Sequence, residues 1–186
     1  IQDEGNNIIA QACYQIAKEF DIEPYDEHTG KGILRHVIGR IGQSGWMIIL
    51  VTATEQLPHK EKWVEKLTER IPQVETIVHN VNGKRTNVIL GPKNNILYGD
   101  GTITDHIKDL QFTLSPHSFF QVNPEQTTVL YDQALEYADL KGDETVIDAY
   151  CGTGTISLFL AHKAKHVIGI EIVEPAIINA RENAQR

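Results

Sequence analysis

Cysteine is nearly absent from this sequence: there are two in 186 residues, Cys13 and Cys151. Two thiols cannot build a disulfide framework or ligate an iron–sulfur cluster, and their spacing fits no zinc motif. The expectation is a reducing, cytoplasmic setting and no metal. Long apolar runs are missing too. None approaches the roughly 20 residues that a membrane-crossing helix needs, so no membrane partner is expected. Positive charge is scarce, with 17 Lys and Arg against 25 Asp and Glu, a net charge of −8. Residues 141–186 hold five basic and six acidic residues, so most of the excess acid lies in the first 140. Phosphate contacts require clustered Lys and Arg, which makes the chain a poor nucleic-acid binder on charge alone. The opening residues are polar and acidic, unlike a secretory leader, and there is no initiator Met. Both ends are expected to be cuts within a longer protein.

Hydrophobic content is 41% and charged content 23%, ordinary for a folded domain. Ile8, Ile9, Ala12, Ile16 and Phe20 recur at helical spacing over residues 6–20. Two strands are expected at Ile33–Ile41 and Trp46–Thr52, joined as a hairpin through Gly42-Gln43-Ser44-Gly45. A helix should run from Pro58 to Arg70. Glu75–Val81 and Thr86–Leu90 read as a second hairpin around Asn82-Gly83, since both turn residues tolerate positive φ. Short strands follow at Ile96–Tyr98, Thr102–Ile107 and Leu110–Leu114. This first part, residues 1–114, reads as helix with antiparallel strand, an α+β layout. At Ser115-Pro116 the character changes. From there helix (Pro124–Ala138), strand, helix, strand and helix (Glu174 to Arg186) alternate, as in a parallel α/β sheet.

The chemistry concentrates in that second part, residues 115–186. A β-branched run ends at Asp148, and Gly152-Thr153-Gly154 then leads into an apolar helix pattern. A second strand, His166–Ile170, ends beside Glu171. Each strand therefore has an acid at its tip, an arrangement that α/β proteins use for adenosine-bearing cofactors. The glycines allow a sharp turn and close backbone approach to a ligand. A pyrophosphate loop would carry a third glycine where Ser157 stands. An acid four residues before the first glycine instead suits a ligand with an amino group, which favours S-adenosyl-L-methionine over a nucleotide. A plain tight turn is the alternative. Glu171 can accept two hydrogen bonds from ribose hydroxyls, or it can simply serve the next helix N-terminus. Tyr150 can lie against a cofactor or pack beneath the loop. Cys151 reads as a small buried hydrophobe and Cys13 as a helix-face residue, neither as a nucleophile.

A third motif is Ser118-Phe119-Phe120-Gln121-Val122-Asn123-Pro124. Asn123 suits an N-cap, Pro124 the first helical position, and Gln126 a capping box. Capping leaves Phe119, Phe120 and Gln121 unexplained. Two aromatics beside an amide can stack a planar base and bond its edge; the plain alternative is two core phenylalanines.

Ser118–Pro124, Asp148–Leu158 and the Gly-Lys-Gly-Ile-Leu-Arg-His run at 30–36 together resemble the RNA (uracil-5-)-methyltransferase family, across nearly the whole chain. The resemblance implies an α+β central domain followed by the first part of an α/β Rossmann-like methyltransferase domain. It implies methyl transfer from S-adenosyl-L-methionine to make 5-methyluridine, with ribosomal RNA the preferred partner over transfer RNA. By position the cofactor contacts fall on Gln121, Tyr150, Gly152, Gly154, Thr155 and Glu171; many members have Asn where Thr155 stands. Phe119 and Phe120 are candidates to meet the substrate base. The family's chemistry adds a cysteine thiolate to uracil C6, transfers the methyl to C5, removes the C5 proton with a base and expels the cysteine. Its nucleophile, in an Asp-Pro-Pro-Arg context, and its base lie beyond the second strand. No Asp-Pro-Pro occurs here, so the chain carries no catalytic residue of its own and is expected to be inactive alone. A methyltransferase of another substrate and a non-catalytic RNA- or protein-binding module are the competing readings.

Overall fold

The computed structural model describes residues 3–185. Ile1, Gln2 and Arg186 lie outside them, and with them the reading of helix as far as Arg186. The chain folds as two compact units, one through Ile103 and one from Thr104. The division falls before the change of character at Ser115 because strand β6 packs on helix α5 of the second unit.

In the first unit, Asp3 caps helix α1 (Glu4–Glu19) by accepting from the Gly5 N–H at 2.7 Å. Ile9, Ala12, Cys13, Ile16 and Ala17 form its buried stripe. Strands β1 (Leu34–Ile41) and β2 (Trp46–Thr52) make the expected antiparallel hairpin. Gly39 lets α1 close on β1, since a Cβ there would sit 2.3 Å from the Asn6 side chain. Helix α2 (Lys60–Arg70) then carries the chain across to β3 (Val74–Val81), which pairs with β2 in parallel. The sheet is thus mixed rather than antiparallel, because a helical connection of this length is what parallel neighbours require. β4 (Lys93–Tyr98) runs antiparallel to β3 and completes the order β1-β2-β3-β4. Ile48, Leu50 and Ile77 meet Ile9, Ile16, Trp63 and Leu67 in the core.

The hairpin expected at Asn82-Gly83 does not form, and Thr86–Leu90 is not a strand. Gly83 does not adopt positive φ. Asn82 instead donates its side-chain amide to the Val88 and Ile89 carbonyls at 2.7 and 3.0 Å. Asn80 grips Gly91 from both sides, through the Gly91 N–H and C=O at 2.8 Å each. Two amide side chains thereby anchor a wide loop, and pairing with β3 resumes only at Lys93. Arg35 secures the same loop by donating to the Asn82 and Lys84 carbonyls, both at 2.8 Å.

In the second unit β5 (Ile103–Ile107) pairs with β6 (Leu110–Leu114). Helix α3 (Pro124–Ala138) begins where expected, with Asn123 accepting from the Gln126 N–H at 3.1 Å. Then β7 (Thr145–Asp148), α4 (Thr155–Ala161), β8 (His166–Gly169) and α5 (Glu174–Asn183) follow, with β7 and β8 parallel in register Ile147 to Ile168. No helix of the described residues is long and apolar enough to cross a membrane.

His79 on β3 is buried. Its Nε2 lies 2.7 Å from the Thr52 hydroxyl, which itself donates to the Thr54 carbonyl, so Nε2 carries the proton. Burial, then the Lys93 charge, lowers its pKa, with Glu55 opposing; His36 is lowered by burial and by Arg35, with Glu27 opposing. Below the ordinary histidine value of about 6.5 the unfolded chain therefore binds more protons than the folded one. The thermal midpoint is expected to fall as pH drops from about 7.5 through that value. His79→Gln should flatten the dependence; a profile unchanged by it would remove His79 from the account.

Candidate cofactor-binding site

The loop between β7 and α4 is built from backbone bonds to the neighbouring strand. The Ile170 N–H donates to the Asp148 carbonyl at 2.8 Å and the Cys151 N–H to the Ile170 carbonyl at 3.0 Å, prolonging the parallel ladder past β8. The Gly154 N–H then turns back onto the Cys151 carbonyl at 2.8 Å. Both glycines take positive φ, +55° at Gly152 and +86° at Gly154. Their surroundings differ. A Cβ on Gly154 would stand in ordinary contact with the Ala180 Cβ, at 3.4 Å, so here it is the backbone conformation that calls for glycine. A Cβ on Gly152 would meet nothing within 4 Å, so this side of the loop is open.

Glu171 fastens the open side. Its Oε2 accepts from the Gly152 N–H at 3.1 Å, and its Oε1 accepts from the Ile172 and Val173 N–H groups at 2.7 and 2.9 Å. These N–H groups, Val173 foremost, hold its pKa below the usual glutamate value. The carboxylate serves both the glycine loop and the entrance of α5. A carboxylate has about four acceptor positions, so one remains for a ligand, on Oε2. A two-bond clamp on a ribose requires one of the present donors to move.

Asp148, at the tip of β7, is also engaged. Its Oδ2 accepts from the Ser157 hydroxyl at 2.6 Å and its Oδ1 from the Tyr150 N–H at 3.4 Å. Ser157 interrupts the glycine fingerprint and at the same time holds the acid still. Its spacing from Asp148, one helical turn into α4, was the signal available in the sequence for that role.

The other expected positions divide. Tyr150 is 91% exposed, so it does not pack beneath the loop. Gln121 is half-buried. Phe119 is 72% exposed, and its carbonyl lies 3.5 Å from the Thr153 hydroxyl. Phe120 is only 8% exposed and packs tilted on Phe112 at 5.6 Å between ring centres. Of the two candidates to meet a base, Phe119 is thus the exposed one and Phe120 lies in the core, as successive residues of an extended segment point to opposite sides. The Thr155 hydroxyl is already 2.9 Å from that of Tyr131, whose ring meets Phe159 edge-on at 5.2 Å.

Neither cysteine is poised to react. Burial pushes the Cys13 thiol up to about 12. Cys151 is buried against Gly169, and its pKa is raised by burial and then by the Asp148 and Glu171 charges. Among the described residues no group of His, Cys, Asp and Glu is arranged to hold a metal.

A family described as "Methyltransferase domain" matches residues 140–186, the segment that holds the loop and Glu171. An uncharacterized RNA methyltransferase of Halalkalibacterium halodurans is 54% identical over all of this chain, and one of Oceanobacillus iheyensis is 52% identical over all of it. The chain spans 41% of the length of each. The crystal structure of the Pyrococcus abyssi tRNA (uracil-54, C5)-methyltransferase in complex with S-adenosyl-L-homocysteine superimposes with TM-score 0.77 at 26% identity, over 94% of this chain and 42% of that one. The M. jannaschii tRNA m1G37 methyltransferase, at 14% identity and TM-score 0.51 over 94% of this chain and 48% of its own, shares the fold alone. The fold is thus a mixed α/β one like that of S-adenosyl-L-methionine-dependent methyltransferases.

The thiols supply a direct check. In the native protein at pH 8 both cysteines are expected to resist alkylation by iodoacetamide and to label promptly in denaturant, with Cys13 the slower of the two in the native state. Rapid native labelling of Cys151 would restore it as a candidate nucleophile.

Proposed function

We propose that this chain is the central α+β region, residues 1–114, and the opening portion, residues 115–186, of the catalytic domain of an RNA methyltransferase that makes 5-methyluridine. The cofactor is S-adenosyl-L-methionine. The observation that carries the reading is Glu171. It sits at the tip of the second parallel strand with a free acceptor position, bonded to a glycine whose other side is open. The donor set fits the cofactor's chemistry. Two carboxylates, Asp148 and Glu171, flank the loop, and the cofactor's sulfonium and ammonium groups are positive. The RNA methyltransferases among the relatives and the S-adenosyl-L-homocysteine bound to the Pyrococcus enzyme support the same reading.

When bound, the cofactor supplies an electrophilic methyl group on sulfur. The residues here bind and orient. Glu171 accepts from the ribose hydroxyls, Tyr150 offers its exposed ring to the adenine, and Gly152 and Gly154 keep the backbone close. Thr155 is held by Tyr131 and is the least available of the expected contacts. Gln121 is a further cofactor contact, and Phe119 and Phe120 are the candidates to meet the substrate base, Phe119 being the exposed one of the two. We take uracil C5 as the methyl acceptor, with ribosomal RNA preferred to transfer RNA. The covalent chemistry needs a reactive thiol and a base. Cys13 and Cys151 are both buried and that burial raises both thiol pKa values, so we assign neither as that thiol, and residues 1–186 alone are expected not to turn over.

Two measurements test this reading. Glu171→Gln in the full-length protein should weaken S-adenosyl-L-methionine binding about tenfold by calorimetry, the scale of one charge-assisted hydrogen bond; unchanged affinity takes Glu171 off the ribose. RNA labelled with tritium at uracil C5 should release it to water with the full-length protein and cofactor, and not with residues 1–186. Methylation without tritium release would move the reaction to another atom.

A further inference from the structure

Helix α5 turns a narrow stripe inward: Ala176, Asn179, Ala180 and Asn183, spaced by three and four residues. Two of the four are amides, and both amides are buried. A buried amide is costly unless bonded, so its partners are informative. Asn183 is engaged at both ends. Its Oδ1 accepts from the Thr113 N–H at 2.8 Å, and its Nδ2 donates to the Thr153 carbonyl, inside the glycine loop, at 3.0 Å. Asn179 works through its oxygen, which accepts the hydroxyls of Ser115 at 3.0 Å and Ser118 at 2.9 Å. Ser118 in turn accepts from the Ser115 N–H at 2.8 Å. Thr153 closes the circuit by donating its hydroxyl to the Phe119 carbonyl at 3.5 Å. Ser118 and Thr153 are each 1% exposed, so the network is dry and its bonds are correspondingly directional.

The network joins two segments that lie far apart in sequence. One is Ser115–Ser118, which leads directly into Phe119-Phe120-Gln121. The other is the loop Gly152-Thr153-Gly154. Both carry residues assigned above to the cofactor and the base. We propose that Asn179 and Asn183 are positioning residues that hold the Phe119–Gln121 segment in register with the glycine loop, so that the cofactor enters a preformed site. The inference rests on the cofactor reading given under Proposed function.

The two amides predict different responses to the same change. Asn179→Asp keeps an acceptor for both serine hydroxyls. Asn183→Asp keeps the bond to Thr113 but sets a carboxylate oxygen against the Thr153 carbonyl. In the full-length protein, calorimetry with S-adenosyl-L-methionine should show the dissociation constant raised about tenfold by Asn183→Asp, within about threefold of wild type for Asn179→Asp, and raised about tenfold by Asn179→Leu. Melting temperatures, taken alongside, establish that each variant is folded. A purely structural role would lower the melting temperature and leave the affinity of the folded protein unchanged, and that outcome overturns the proposal. Should Asn183→Asp fail to fold, Ser118→Ala decides: about threefold weaker binding supports the register role, and unchanged binding refutes it. A wild-type protein that does not bind the cofactor overturns the cofactor reading itself, a result distinct from wild-type binding that the variants leave intact.

Discussion

The Glu171 carboxylate accepts from three backbone N–H groups that belong to two different loops. One group comes from the glycine loop after β7 and two from the entrance of α5. Because the carboxylate spans both loops, it sets where the glycine loop ends and the direction in which α5 leaves. The direction of α5 decides what its inner stripe of small and amide residues can reach. Ala180 then meets Gly154, and Asn183 meets the Thr153 carbonyl. The glycine loop is therefore held from two sides, by an anion at its open edge and by an amide from beneath.

The same anion shapes the electrostatics. Burial first, and then the Asp148 and Glu171 charges, raise the Cys151 pKa. A field of this sign suits a cationic ligand and disfavours a thiolate. One local arrangement thus accounts both for why the loop attracts a sulfonium cofactor in the proposed function and for why the cysteine inside it is not the nucleophile.

How much of this was legible in the sequence depends on the range of the signal. The stripe of α1, the Asn123-Pro124 start of α3 and the β7–α4–β8 unit are local patterns, and they appear where hydrophobic period and capping chemistry place them. The Asn82-Gly83 hairpin failed for a non-local reason: Asn82 finds the Val88 and Ile89 carbonyls, and a loop satisfying them is better bonded than a two-residue turn. The parallel pairing of β2 with β3 was readable from the helix between them, but the strand patterns alone suggested antiparallel order. At the site, the residue types were legible and their orientations were not. Nothing in the letters Phe-Phe says which ring enters the core, and only Phe112 settles that for Phe120. Ser157 stands where a phosphate loop has its third glycine, so in sequence it resembles a defect, whereas in the fold its hydroxyl answers a carboxylate.

Charge bears on the proposed RNA substrate. Many of the cations here already have acidic partners: Arg35 with Glu27, Lys62 with Glu65, Lys66 with Glu19, Lys93 with Glu55, Lys108 with Asp132 and Lys141 with Asp139. Most of these pairs are exposed and individually weak, yet each places an acid beside the cation that a phosphate would seek. Arg35 is further removed from that role, since its side chain is 1% exposed, lies over the Tyr25 ring and donates to two carbonyls. Phosphate contacts supply most of the affinity in nucleic-acid binding, and base contacts supply the selectivity. A chain with this charge and an exposed Phe119 beside the glycine loop is suited to selectivity rather than grip. In the proposed function such a chain contributes to the choice of base rather than to the hold on the phosphate backbone.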